Sequence, residues 1–132
     1  MNNAAYERGR QRLEQVDAAA TASVMESLST ICPDFGRFII EFGYGEIHSR
    51  PGLSLQQREL ATIAALTAMG TAEPQLKIHI GAALNVGVST TEILETIIQM
   101  TVYAGFPAAL NGLAAAKTVF AERGLLDTLP TG

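Results

Sequence analysis

A chain of 132 residues is sized for one domain, and its 48% apolar content excludes a disordered tail. With a net charge of −4 and no cluster of Lys and Arg, it lacks the phosphate-neutralising stripe that nucleic-acid binding needs. Charged residues at only 17% suggest that another subunit covers part of the apolar surface, which leaves small molecules and copies of the chain itself as the expected partners.

The opening MNNAAYERGRQRLEQ is polar and helical in pattern, with no apolar core of a signal peptide. No later stretch approaches the roughly 18 to 20 apolar residues that span a bilayer, so no membrane partner is expected and a cytoplasmic location follows by default. Helical patterns cover positions 4 to 15 and 18 to 30. Pro33 in CPDFGRF suits the first position of a third helix, along which Phe35, Phe38, Ile39 and Phe42 recur at helical spacing before Gly43 and Gly45 loosen it. GEIHSRPGLS then reads as a turn-rich connector. The lone Cys32 can build neither a disulfide framework nor a Cys-x-x-Cys pair and reads as an inert thiol.

Ser54 opens a capping pattern that ends at Gln57, and the helix continues through RELATIAALTAMG to Gly70. Its middle is apolar all round, which predicts burial on every side. Pro74 opens the next helix, and Asn85 with Gly87 closes it. Ser89 and Glu92 form a second capping box ahead of EILETIIQMTVYAG, again apolar over most of its circumference. Gly105-Phe106-Pro107 is a sharp break, the last long helix ends at Gly124, and the tail from 125 to 132 has no periodicity. The fold class is therefore all-α. Two nearly all-apolar helices in so short a chain predict an obligate homo-oligomer.

One of the two histidines, His79, sits in QLKIHIGAALNVG at the margin of a face made by Leu76, Ile80, Ala83 and Gly87. Its small neighbours leave space beside the imidazole. A structural histidine bound to a carbonyl or carboxylate fits the same pattern. Glu59, near the start of its helix, either stabilises the first turn or faces inward, and the helix dipole favours the former. Glu46, His48 and Arg50 alternate along the connector, where solvent is the default surrounding. Tyr103 and Gln99 lie one turn apart on an apolar helix, where a buried hydroxyl would need a partner. With His48 and His79 31 positions apart and no metal-ligand spacing, no metal site is expected.

The runs SRPGLSLQQRELATIAALTAMG, QLKIHIGAALNVGVSTTEI and IIQMTVYAGFPAALN resemble the carboxymuconolactone decarboxylase family in order and spacing, within the wider alkylhydroperoxidase D-like superfamily. RGRQRLEQV looks like the opening of the gamma-carboxymuconolactone decarboxylase branch. The resemblance covers roughly residues 6 to 124. It implies one domain over 1–132, with N-terminal helices over 4–46, core motifs over 50–124 and a short tail. It also implies helical protomers assembled as a trimeric or hexameric ring.

The alkylhydroperoxidase branch uses Cys-x-x-Cys ahead of its histidine. Anchored on His79, those positions fall on Ala72 and Gln75, so thiolate attack on a peroxide is not expected. The decarboxylase branch implies a lyase that needs no cofactor and acts on a small carboxylate or lactone ligand. By resemblance His79 would be the general acid, Glu46 or Glu59 its partner, and Arg50 a carboxylate clamp. Gln75 and Tyr103 would supply hydrogen bonds to the lactone, with His48 on the same substrate-facing surface. Gln75 stands where that branch commonly has glutamate, so an altered substrate is expected. The competing expectation is an oligomeric binding or scaffold protein without turnover.

Overall fold

The computed structural model describes residues 4–130, which are helical with short connections, as an all-α chain should be. Residues 1–3 of the polar start and residues 131–132 of the tail lie outside the described residues. The chain divides into two compact units, Met1–Ser54 and Leu55–Gly132.

The first unit contains α1 (Ala4–Val16), α2 (Ala20–Leu28), α3 (Pro33–Phe38) and a π-helix (Ile39–His48) that continues α3 without a break. Pro33 occupies the first turn of α3, where its missing N–H costs nothing. Gly43 and Gly45 do not loosen this segment. They lie inside the π-helix, so Glu46 and His48 are helical rather than part of a connector, and only Ser49 onward forms the turn. The physical reason is packing against α1. A Cβ at Gly9 would overlap the carbonyl oxygen of Ile40, and one at Gly45 would overlap that of Ala5, so the two backbones touch where neither has a side chain. Leu13, Val16 and Ile40 are buried in this unit.

The second unit contains α4 (Leu55–Met69), α5 (Glu73–Asn85), α6 (Thr90–Ala104), α7 (Phe106–Glu122) and a short 3₁₀ turn (Leu126–Thr128) in the tail. Its core joins Ile63 of α4, Leu76, Ile80 and Ala83 of α5, Val88 of the connection that follows, Ile93 and Ile97 of α6, and Ala115, Ala116, Val119 and Phe120 of α7. Each fully buried Ile or Phe contributes about 1.5–3 kcal/mol relative to exposure. Gly112 lets α7 close on this core, because a Cβ there would come within 2.9 Å of both Ile97 and Thr67. Gly105 has φ 91°, a left-handed conformation that a side chain would strain, and it turns the chain from α6 into α7.

Burial on every side of α4 is not what the chain shows. Glu59, Ile63 and Thr67 form one buried stripe at four-residue spacing, while Ala61, Ala65 and Met69 are exposed. Alanines make a sequence look apolar all round without requiring a partner on each face.

Ser89 caps α6 as expected. Its hydroxyl accepts from the Glu92 N–H at 3.0 Å, and the Glu92 carboxylate accepts from the Ser89 N–H at 3.0 Å. The Ser89 backbone and side-chain hydrogen bonds hold the Glu92 carboxyl below its ordinary pKa. A depressed folded pKa means that this contribution is present above the ordinary carboxylate range and is lost as pH falls through the lowered value. Glu92→Gln should therefore flatten part of the acid limb of the melting-temperature profile between about pH 6 and about pH 3, measured beside the parent chain.

Candidate functional site

Within the second unit, α4 and α5 carry a buried acid–imidazole contact. Helix α4 begins at Leu55, so Glu59 lies beyond the first turn and shares the inward stripe with Ile63 and Thr67. The inward-facing alternative for Glu59 is the correct one, and the helix-dipole reading is not. Its side chain is 0% exposed, and its Oε2 lies 3.0 Å from Nδ1 of His79, which retains 21% exposure.

This geometry sets the chemistry of the ring. With Glu59 ionised the carboxylate can only accept, so Nδ1 would carry the hydrogen of this bond. Nε2 is then the nitrogen that exchanges a proton with anything placed against the open edge of the ring. Of the two glutamates considered as partner to His79, Glu59 makes the contact.

Gln75 is exposed on α5, one turn before His79 and on the same side of the helix. Tyr103 is 77% exposed and not a buried hydroxyl in need of a partner. The inward positions of α6 belong to Ile93 and Ile97, and Tyr103 falls off that stripe, as does exposed Gln99. The remaining candidates belong to the first unit. Glu46 pairs with Arg8 at 3.0 Å, and His48 lies against Tyr44 with ring centroids 5.0 Å apart. Arg50 is exposed in the turn after the π-helix.

Residues that sequence reasoning passed over also hold the His79 helix. Arg123, just past α7, donates to Asn85 Oδ1 at 2.7 Å and to the Gly81 carbonyl at 3.2 Å, tying the end of α7 to the last turns of α5. The available signal was Gly81 itself, since a glycine inside a helix costs about 1 kcal/mol unless space is needed. A Cβ at that position would lie 3.1 Å from Arg123 Nη2.

Among the described residues no three His, Cys, Asp or Glu side chains converge as metal ligands would, and no helix is long and apolar enough to cross a membrane. Ala72, the N-cap of α5, and Gln75 carry no sulfur, and exposed Cys32 belongs to the first unit.

Comparison with known proteins places these motifs. A sequence model described as "Carboxymuconolactone decarboxylase family" matches residues 33–118. A 4-carboxymuconolactone decarboxylase of Acinetobacter baylyi is 41% identical over 101 residues, covering 76% of this chain and 75% of that protein. An uncharacterized 15.0 kDa protein of Paracoccus denitrificans is 37% identical over 99 residues, 74% of each chain. A nitrosuccinic acid decarboxylase of Metarhizium robertsii is 33% identical over 75 residues, 57% of this chain and 52% of that protein.

Proposed function

Since the chain belongs to the carboxymuconolactone decarboxylase family, we propose that it is a carboxy-lyase acting on a small carboxylated lactone or a related activated acid, with His79 Nε2 as its general acid. The observation that carries this reading is the 3.0 Å contact between His79 Nδ1 and the fully buried Glu59. The family's peroxide chemistry is disfavoured because Ala72 and Gln75 stand at the two thiol positions.

In the proposed step the bond between the substrate carbon and its carboxylate breaks, and carbon dioxide leaves without the bonding electrons. The electron pair passes into the unsaturated lactone, giving a dienolate, and His79 returns a proton to carbon from Nε2. Glu59 keeps the imidazole in one orientation and compensates its charge while it is protonated. The names of two similar proteins, a 4-carboxymuconolactone decarboxylase and a nitrosuccinic acid decarboxylase, support a broad electron-accepting group. A nitro group accepts the electron pair as an unsaturated lactone does. Gln75, one turn from His79, is the proposed contact that selects among such acids.

An NMR time course with gamma-carboxymuconolactone, and a second with nitrosuccinate, tests the reading. Release of carbon dioxide with a new carbon-bound proton is the expected result. Neither substrate being turned over, while one of them raises the melting temperature, would replace the lyase with the binding-protein reading.

We also propose a homo-oligomer. Ile98, Val102, Phe106 and Leu110 are exposed along α6 and α7, more apolar surface than a monomer usually leaves in water. Light scattering should give a multiple of the 14.0 kDa chain mass, and a 14.0 kDa particle would overturn this expectation.

A further inference from the structure

The first unit contains a cleft whose chemistry plays no part in proton transfer. It has a volume of about 240 Å³ and is lined by Arg8, Gln11, Arg12 and Gln15 of α1 and by Ser49. The four α1 residues recur at three- and four-residue spacing, so they form one face of the helix. An adjoining side of α1 buries Gly9, Leu13 and Val16.

The charges in this cleft do not cancel. Arg8 is committed, donating from Nε to the Gly45 carbonyl at 3.3 Å and from Nη2 to Glu46 at 3.0 Å. Arg10, between the two, is held by Glu7 and Glu14 at 2.9 and 2.6 Å. Arg12 is half-buried, and among the described residues it has neither an acidic partner nor a carbonyl acceptor. One positive charge is thus left over at a concave site in a chain whose net charge is −4.

We propose that this cleft binds a small oxyanion, a carboxylate or a phosphate, through the Arg12 guanidinium with the Gln11 and Gln15 amides as additional donors. The planar fork of arginine matches two oxygens of either group, and the amides of Gln11, immediately before Arg12, and of Gln15, about one turn after it, are neutral N–H donors. Ser49 closes one wall and adds no donor, because its hydroxyl hydrogen is given to the Tyr44 carbonyl. No carboxylate, imidazole or thiol lines the cleft, so it offers no acid, base or thiolate for a reaction and is a binding site only. It lies in the unit that does not contain His79 and Glu59, and the proposal stands apart from the decarboxylase reading.

The test is calorimetric titration of the full chain at low ionic strength with inorganic phosphate and, separately, with succinate, using chloride at matched ionic strength as the reference. Saturable binding of one oxyanion, absent with chloride, is the expected result, and the tighter of the two identifies the preferred group. Arg12→Gln should weaken it at least about tenfold, and Arg12→Lys, which keeps the charge without the fork, by an intermediate factor. Arg10→Gln should leave it unchanged. Heat that fails to saturate, an equal response to chloride, or binding insensitive to Arg12→Gln would overturn the proposal.

Discussion

Replacing His79 by alanine is expected to lower kcat/KM for decarboxylation by about 10²–10⁴-fold, the contribution of a positioned general acid. The substitution also removes the imidazole donor from a carboxylate that is 0% exposed, so part of its effect will be on stability. His79→Gln separates the two. An amide N–H can still donate to Glu59, but it cannot return a proton to carbon, so activity should fall as far as in the alanine variant while the melting temperature falls less. Glu59→Gln is the complementary change. It keeps size and an acceptor for Nδ1 but removes the charge that compensates the imidazolium, and kcat should fall about ten- to hundredfold with KM little altered. An unchanged kcat in both His79 variants, with substrate still consumed, would move the acid to another group. A rise in KM alone for Glu59→Gln would mark Glu59 as a binding residue rather than one acting through His79.

Gly9→Ala should have the largest effect on stability. The added Cβ would overlap the Ile40 carbonyl oxygen, and what it meets is backbone rather than the far end of a flexible side chain. Overpacking of ordinary cores costs about 1–3 kcal/mol, and a backbone crossing that must separate should reach or exceed about 3 kcal/mol. Gly45→Ala acts on the same crossing from the other side, through the Ala5 carbonyl. The double substitution should therefore cost less than the two single costs combined, because either change already parts the helices. Chemical denaturation of the three variants measures this, with hydrogen exchange along α1 reporting whether the loss is local. Stability within about 0.5 kcal/mol of the parent for Gly9→Ala would mean that α1 and the π-helix do not touch in solution.

Much of the helical frame was legible because its punctuation is local chemistry. Pro33 at a first turn, the Ser89–Glu92 box and the Gly105 break each act within a few residues, and the folded chain uses all of them as the sequence suggests. The π-helix was not legible. Gly45 looks like a flexible point in sequence, and only its contact with α1, over thirty residues away along the chain, shows it to be a packing position. Glu59 illustrates the same division within the candidate site. Its stripe with Ile63 and Thr67 is present in the sequence but diluted by alanines around α4, so the helix dipole appeared the stronger argument. Burial opposite His79 depends on how α4 and α5 pack, which a single strand of letters does not encode at any one position. Tyr103 shows the converse: on a helix apolar over most of its circumference a tyrosine reads as buried, yet its side chain is exposed.

The winding of Ile39–His48 also bears on how this chain can change in length. A helix closed by bonds to the fifth residue holds more residues per turn than an α-helix, so deleting one residue could restore ordinary winding with little local cost. Such a deletion between Ile40 and Gly45 would put four steps of about 100° in place of five smaller ones, so Gly45 would keep nearly its present bearing relative to Ile40. Both positions face α1 in the present register, Ile40 through its carbonyl at Gly9 and Gly45 through its bare Cα at Ala5. This stretch should accept the loss of one residue and many side-chain replacements outside Gly45, yet it should reject an insertion, which turns Gly45 away from Ala5 and which a surface turn such as Ser49–Ser54 would absorb.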